Sequence, residues 1–330
     1  MDAAFSHIRP AVPLSSRRIC CVAIDAEEDF DWDSPVQGTS KSTAHIRNVR
    51  VLTEILQAYG AVPTYLLTYP VLQDEAAVAI IRHQLERGSC AVGLQLHPWV
   101  TPPFGEHPGK HVSFLGNLDA NQEEQKLLTL CRRFVDCFGQ APLVYRAGRY
   151  GLSAHTPHLL EKHGFVVDTS IAPRTSFVAD GGPDYTGYDS GMFWFGRAAR
   201  LLELPLCRGV VGWSGNRAAA LYRMGAERPG LMGLMARSRC AERITLSPEG
   251  NDFTAMRRLL RGLLAAGQTV FSLSFHSSSL QPGQNPYVRS AADLHVFYDR
   301  LSETLDHMAG TLGFGFAPLA AVPGLLQPPA

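Results

Sequence analysis

No apolar run in the 330-residue chain approaches the roughly 20 residues needed to span a bilayer, so no transmembrane helix is expected. Neither sign of charge is in excess: Lys+Arg and Asp+Glu are 30 each. Binders of nucleic acid or of anionic membranes usually carry a basic surplus, and both classes are set aside. There is no Cys-x-x-Cys pair. The cysteines are odd in number (Cys20, Cys21, Cys90, Cys131, Cys137, Cys207 and Cys240), and most sit in apolar periodic segments. They read as free thiols in a reducing compartment, not as a disulfide frame. Residues 1–18 hold no long apolar core, and Arg17 and Arg18 lie just before the first apolar run. No signal peptide is expected, and the chain is expected to be cytoplasmic. Internal repeats and low-complexity tracts are missing as well. Ser277, Ser278 and Ser279 lack a Gly-x-Ser-x-Gly setting, which excludes the usual serine nucleophile.

What remains is the composition of a folded soluble protein, 45% hydrophobic and 18% charged, long enough for one large core. Apolar runs at residues 20–25, 62–68, 90–96, 143–145, 165–167, 201–205 and 269–275 read as strands. Between them, residues 44–59, 74–87, 121–138, 153–163, 252–266 and 291–308 read as helices. In the first of these Ile46, Val49, Leu52, Ile55 and Leu56 share a face, and Gly60 marks its end. Such alternation predicts an α/β fold with a parallel sheet. Residues 173–198 read as loop, and residues 207–250 show little periodicity. The expected organisation is a lead-in over 1–18, a single domain over 19–320 and a tail over 321–330.

The first strand empties into Asp25, Glu27, Glu28, Asp29 and Asp31. Carboxylates this close repel one another, and burial would raise their pKa values. A cation, a proton-transfer role or full solvation would relieve them. Four other strands also end in a polar or ionisable residue: His97, Arg146, Asp168 and His276. In α/β barrels that end of the strands builds the active site. Asp25 and Glu27 lie two apart and point to one side of an extended segment, so one can bind a cation while the other acts as a base. His97 is a nitrogen ligand suited to zinc. Arg146 would hold a carboxylate ionised. His276 is a candidate acid, and Asp168 a candidate partner that orients it. Together these groups equip a site for metal-assisted hydrolysis. Glu28, Asp29 and Asp31 read as loop acids. Trp99, Trp213 and Tyr150 are candidate sugar contacts.

Five motifs occur in order: Ile24-Asp25-Ala26-Glu27, Gly93-Leu94-Gln95-Leu96-His97-Pro98-Trp99, Tyr145-Arg146-Ala147-Gly148-Arg149-Tyr150, Val167-Asp168-Thr169-Ser170 and Ser274-Phe275-His276-Ser277-Ser278. They resemble those of the NodB-homology polysaccharide deacetylases (carbohydrate esterase family 4). His97-Pro98-Trp99-Val100-Thr101-Pro102-Pro103 is most similar to the WalW-type branch. The resemblance implies a distorted (β/α)7 barrel that removes acyl groups from sugars with a divalent metal, zinc above all. It implies catalytic Asp25, Arg146, Asp168 and His276, metal ligands Glu27 and His97, and substrate contacts at Trp99 and Tyr150. The chain departs from the family at the second motif. Gln95 and Trp99 stand where the family has two histidines, which leaves His97 and, if the following loop folds back, His107 or His111.

The expected function is therefore deacylation of an amino sugar or a glycan precursor, with a carbohydrate or another small acylated substrate as partner. Two alternatives stand beside it. One is a metal-independent hydrolase of a non-sugar amide or cyclic C–N bond. The other is a degenerate barrel that only binds a glycan.

Overall fold

The computed structural model describes residues 8–29, 41–105, 111–212, 222 and 240–329. Asp31, His107 and Trp213 lie outside the described residues.

The strands in chain order are β1 (Arg9–Pro10), β2 (Ile19–Ala26), β3 (Thr64–Leu67), β4 (Ala91–Leu96), β5 (Val144–Ala147), β6 (Val167–Asp168), β7 (Phe193–Phe195), β8 (Leu201–Glu203), β9 (Arg208–Val211), β10 (Glu242–Thr245), β11 (Val270–His276) and β12 (Gly315–Phe316). Strands β8, β6, β5, β4, β3, β2 and β11 lie side by side in that order, all parallel. This is the expected α/β class. Strand β7 adds antiparallel to β8, and β1 adds to β7. The stretch read as loop over 173–198 thus contains a short aromatic strand.

No ladder among the described strands joins β8 to β11 directly. Other contacts link the chain beyond β8 to β11. The Ser272 amide donates to Cys207 Sγ at 3.1 Å. Leu246 links the two sides, donating its amide to Cys207 O at 2.8 Å while its carbonyl accepts from the Ser274 amide at 3.2 Å. The antiparallel pair of β9 and β10 lies in the stretch that showed least periodicity.

Two cores follow from the period of two along each strand. On β2, Cys20, Val22, Ile24 and Ala26 face the helices, and Ile19, Cys21 and Ala23 face inward. On β11, Phe271, Leu273 and Phe275 face the helices while Val270 faces inward. The helix-facing core is closed by α1 (Val49–Ala58), α2 (Tyr69–Gln73), α3 (Glu75–Glu86), α4 (Ala120–Phe138), α5 (Thr156–Lys162), α6 (Phe253–Ala265) and α7 (Ala291–Asp306). Helix α4 shows why these segments fold locally. Asp119 and Gln122 form a capping box at its start, and Gly139 ends it at φ 67°.

The inward-facing core is aliphatic at its lower end. Val144, Val167, Leu202 and Val270 meet Leu319, Val322 and Leu326 of the C-terminal segment there. That segment is tied down by the Leu319 amide on Thr64 Oγ1 at 3.0 Å and by Gln327 N on Val12 O at 2.8 Å. No helix among the described residues is long and apolar enough to cross a membrane.

Candidate active site

The strand period that points Ile19, Cys21 and Ala23 inward carries Asp25 to the same side at the upper end of β2. On the neighbouring strand His276 is its register partner. Gln95 and Arg146 are register partners on β4 and β5. Asp25 is buried, and Arg146 Nη1 donates to its Oδ1 at 2.5 Å. Arg146 is itself fixed by the next strand end: Nε donates to Thr169 O at 3.0 Å and Nη2 to Thr169 Oγ1 at 3.1 Å. Burial works against the guanidinium charge, but Asp25 outweighs it and raises the Arg146 pKa. The Arg146 guanidinium therefore keeps its charge against Asp25.

His276 Nε2 stands 3.7 Å from both Asp25 Oδ2 and Glu27 Oε1. Its Nδ1 lies 2.8 Å from Glu249 Oε2, and its backbone N–H donates to Glu249 Oε1 at 2.9 Å. Burial alone would lower the His276 pKa, but Glu249, Glu27 and Asp25 together raise it to about 10. His276 is then a proton donor whose Nε2 points at the base.

Glu249 occupies the place expected of Asp168. Tyr145, Asp168 and Glu203 are register partners across β5, β6 and β8. Tyr145 belongs to the helix-facing core, so Asp168 faces away from His276. Its Oδ1 accepts from Ser170 Oγ, and it lies beside the buried Glu203 carboxyl of the next strand. Burial pushes both carboxyls up, Glu203 well above the carboxylate range, with Asp168 adding to that rise. The fourth motif reaches the site through Thr169, which positions Arg146.

His97 is buried, with Nδ1 2.8 Å from Glu28 Oε1 and Nε2 3.3 Å from Glu27 Oε2. Burial would lower its pKa, but Glu28 and Glu27 prevail and raise it to about 10. Glu28 is thus a buried partner and not a loop acid. Asp29 is buried too, 3.0 Å from His45 Nδ1, and His45 Nε2 meets Ser277 Oγ at 2.8 Å. Gly148 lets β5 approach this cluster. A Cβ there would fall 2.6 Å from both His97 Cδ2 and Leu96 O.

Trp99 is not a sugar platform in this arrangement. It is buried, stacked on His97 at 4.2 Å between ring centroids, and its Nε1 donates to Glu28 Oε1 at 3.1 Å. Tyr150 does line the cavity above Asp25. Both Arg149 and Tyr150 have left-handed φ, 52° and 58°, which costs about 1 kcal/mol or more for each residue. That turn sets the ring 5.9 Å from the Arg146 guanidinium and stacks it with Phe177. Burial and the Asp25 charge push the phenol well up, so it stays neutral.

The expected metal has two strong ligands, Glu27 and His97. Gln95 Nε2 donates to Glu27 Oε2 at 3.2 Å and adds only a neutral amide. His111 is exposed, and its carbonyl shares Asn117 Nδ2 with Gly181 O. No group of three or more His, Cys, Asp and Glu among the described residues is placed to hold a metal. Catalytic zinc takes three strong protein ligands. This donor set does not fit it.

No protein-family model matches the sequence, and no curated protein does. Solved structures do match. PuuE allantoinase aligns over 94% of this chain and 91% of its own, with a TM-score of 0.51 and 13% identity. The chain shares the fold of that structure. A probable polysaccharide deacetylase from Pseudomonas aeruginosa PAO1 aligns over 92% of this chain and 89% of its own, at TM-score 0.49 and 14% identity. The Xyl-CE4 domain of a xylanase from the hindgut metagenome of Trinervitermes trinervoides covers 95% and 94%, at TM-score 0.43 and 8% identity. In this fold the upper strand ends gather Asp25, Glu27, His97, Arg146 and His276. Sequence reasoning missed Glu249, Glu28 and Thr169. Thr169 lies inside a recognised motif and Glu28 directly follows one, whereas nothing around Glu249 in the sequence marks it.

Proposed function

We propose that the chain hydrolyses the amide C–N bond of an acylated amine, with acylated amino sugars as the first substrate class. The placement of His276 Nε2 3.7 Å from Asp25 Oδ2 carries this reading, each group held by a separate buried partner. Asp25, paired with Arg146, takes a proton from water as the water oxygen bonds to the acyl carbon. The C–N bond then breaks, and His276 delivers its Nε2 proton to the leaving nitrogen. The products are a carboxylic acid and a free amine. Glu249 keeps the imidazole turned and charged for that transfer, and Thr169 keeps Arg146 on Asp25. No step runs through a metal.

The test is acyl release from N-acetylated sugars and oligosaccharides, followed as free acid and new primary amine. Release that disappears in Asp25→Asn and His276→Ala supports the reading. A protein that frees no acyl group from any acylated amine sinks it. A second reading, ring-opening of a cyclic amide, is favoured by Gln95 beside Glu27, where the family's metal-binding histidine is missing. Hydantoin-type substrates separate the two.

A further inference from the structure

The cavity that holds Asp25 and His276 has a second wall, made by the β9–β10 hairpin. Arg208, Arg243 and Thr245 line it. Thr245 is the register partner of Arg208, and Arg243 lies two residues before Thr245. Both arginines therefore project from the same face of the hairpin.

Neither guanidinium meets a carboxylate among the described residues. Arg208 Nε donates to Thr245 Oγ1 at 2.7 Å and Nη1 to Thr175 Oγ1 at 2.6 Å. Arg243 Nη1 donates to Arg174 O at 3.0 Å and to Thr175 Oγ1 at 3.4 Å. Every one of these acceptors is neutral. The two carboxylates of the cavity are already engaged, Asp25 by Arg146 and Glu249 by His276. Burial pushes the Arg208 guanidinium down from its usual range, and Arg243 adds to that effect. Two neighbouring cations with no counter-ion among the described residues, Arg208 half-buried and Arg243 exposed, are costly in isolation. An anion that spans them removes the cost and gains charge-assisted hydrogen bonds.

We propose that Arg208 and Arg243 form an anion subsite that receives a carboxylate or phosphate on the same substrate whose acyl group Asp25 and His276 attack. The proposal rests on the hydrolase reading and narrows its substrate class. A cavity of about 350 Å³ suits one sugar-sized unit, so the anionic group and the acyl group belong to one small molecule. Tyr150 and Tyr287 line the space beside them.

The experiment has a kinetic and a binding half. Three N-acetylated amino sugars are compared: a neutral one, a uronate and a sugar phosphate. Wild type is expected to prefer an anionic substrate, and the preferred one tells carboxylate from phosphate. In Arg208→Gln and in Arg243→Gln the KM for that substrate rises about 10- to 100-fold, toward that of the neutral sugar. Inorganic phosphate and malonate are then titrated calorimetrically into wild type and both variants, with thermal unfolding as the check on folding. Weaker binding of either anion in both variants supports the subsite. Equal turnover of neutral and anionic sugars, with anion binding that ignores both substitutions, overturns it. Anion binding that depends on both arginines while no acyl compound is hydrolysed keeps the subsite and sinks the hydrolase reading instead.

Discussion

Glu249 holds His276 at two points, its Oε2 on the ring nitrogen Nδ1 at 2.8 Å and its Oε1 on the backbone N–H at 2.9 Å. One carboxylate thus sets both the position of the strand end and the direction of Nε2. Ser279 Oγ donates to the same carboxylate, at 2.5 Å from Oε1, and stiffens it further.

Removing that charge changes a pH profile. His276 is protonated up to about pH 10 in the folded chain, so it can donate throughout the neutral range. In Glu249→Gln, burial is opposed by fewer negative charges, and the alkaline limb of the rate profile moves down toward neutrality. Loss of the oriented acid should also lower kcat by about 10²- to 10³-fold. A pH–rate series on wild type and variant checks both effects. An unmoved alkaline limb would show that His276 is not the proton donor.

Asp25 and Arg146 are a buried ion pair in which each needs the other. Arg146→Met leaves Asp25 buried without its cation and should destabilise the chain by about 3–5 kcal/mol. Asp25→Asn leaves Arg146 in the same position and removes the base. The double variant Asp25→Asn/Arg146→Met should be more stable than Arg146→Met alone. Chemical denaturation of the three variants gives the comparison, and strict additivity would disprove the coupling.

Glu203 and Asp168 lie buried together on the helix-facing side, away from His276. The Glu203 pKa is raised well above its unfolded value. Its contribution to stability is therefore complete below the unfolded pKa and is lost as pH climbs from there through the folded pKa. The loss cannot exceed about 1.4 kcal/mol for each pH unit per proton. Glu203→Gln mimics the protonated acid and can still accept from the Ile171 amide, as Glu203 Oε1 does at 2.9 Å. Stability measured between mildly acidic and mildly alkaline pH should fall less steeply in the variant than in wild type.

Gln95 stands beside Glu27 with its amide on the carboxylate. Gln95→His would add a third strong donor to Glu27 and His97. Near-stoichiometric zinc in the purified variant, with little in wild type, is the expected result of metal analysis after equal exposure. Tight zinc in wild type would show that a donor outside Glu27 and His97 completes the set.

Some of this site was legible and some was not, for reasons of strand length. Strands β2 and β11 span 8 and 7 residues, long enough for the alternation to fix which side Asp25 and His276 face. Strand β6 is only 2 residues long. It carries no usable alternation, and a shift of one residue sends a side chain to the opposite face. That is how Asp168 was expected beside His276 and lies beside Glu203. Glu249 follows an irregular stretch and reaches His276 only through tertiary packing. The Phe193-Trp194-Phe195 strand was hidden for the same reason, since three residues within a Gly-rich segment give no period. Arg208 and Arg243 gained meaning only once the hairpin placed them on one face.

Leu319, Val322 and Leu326 seal the lower end of the strands. The cavity that reaches Asp25 and His276 therefore stands on an aliphatic floor, and on the proposed reading the substrate meets the base and the acid from the upper strand ends.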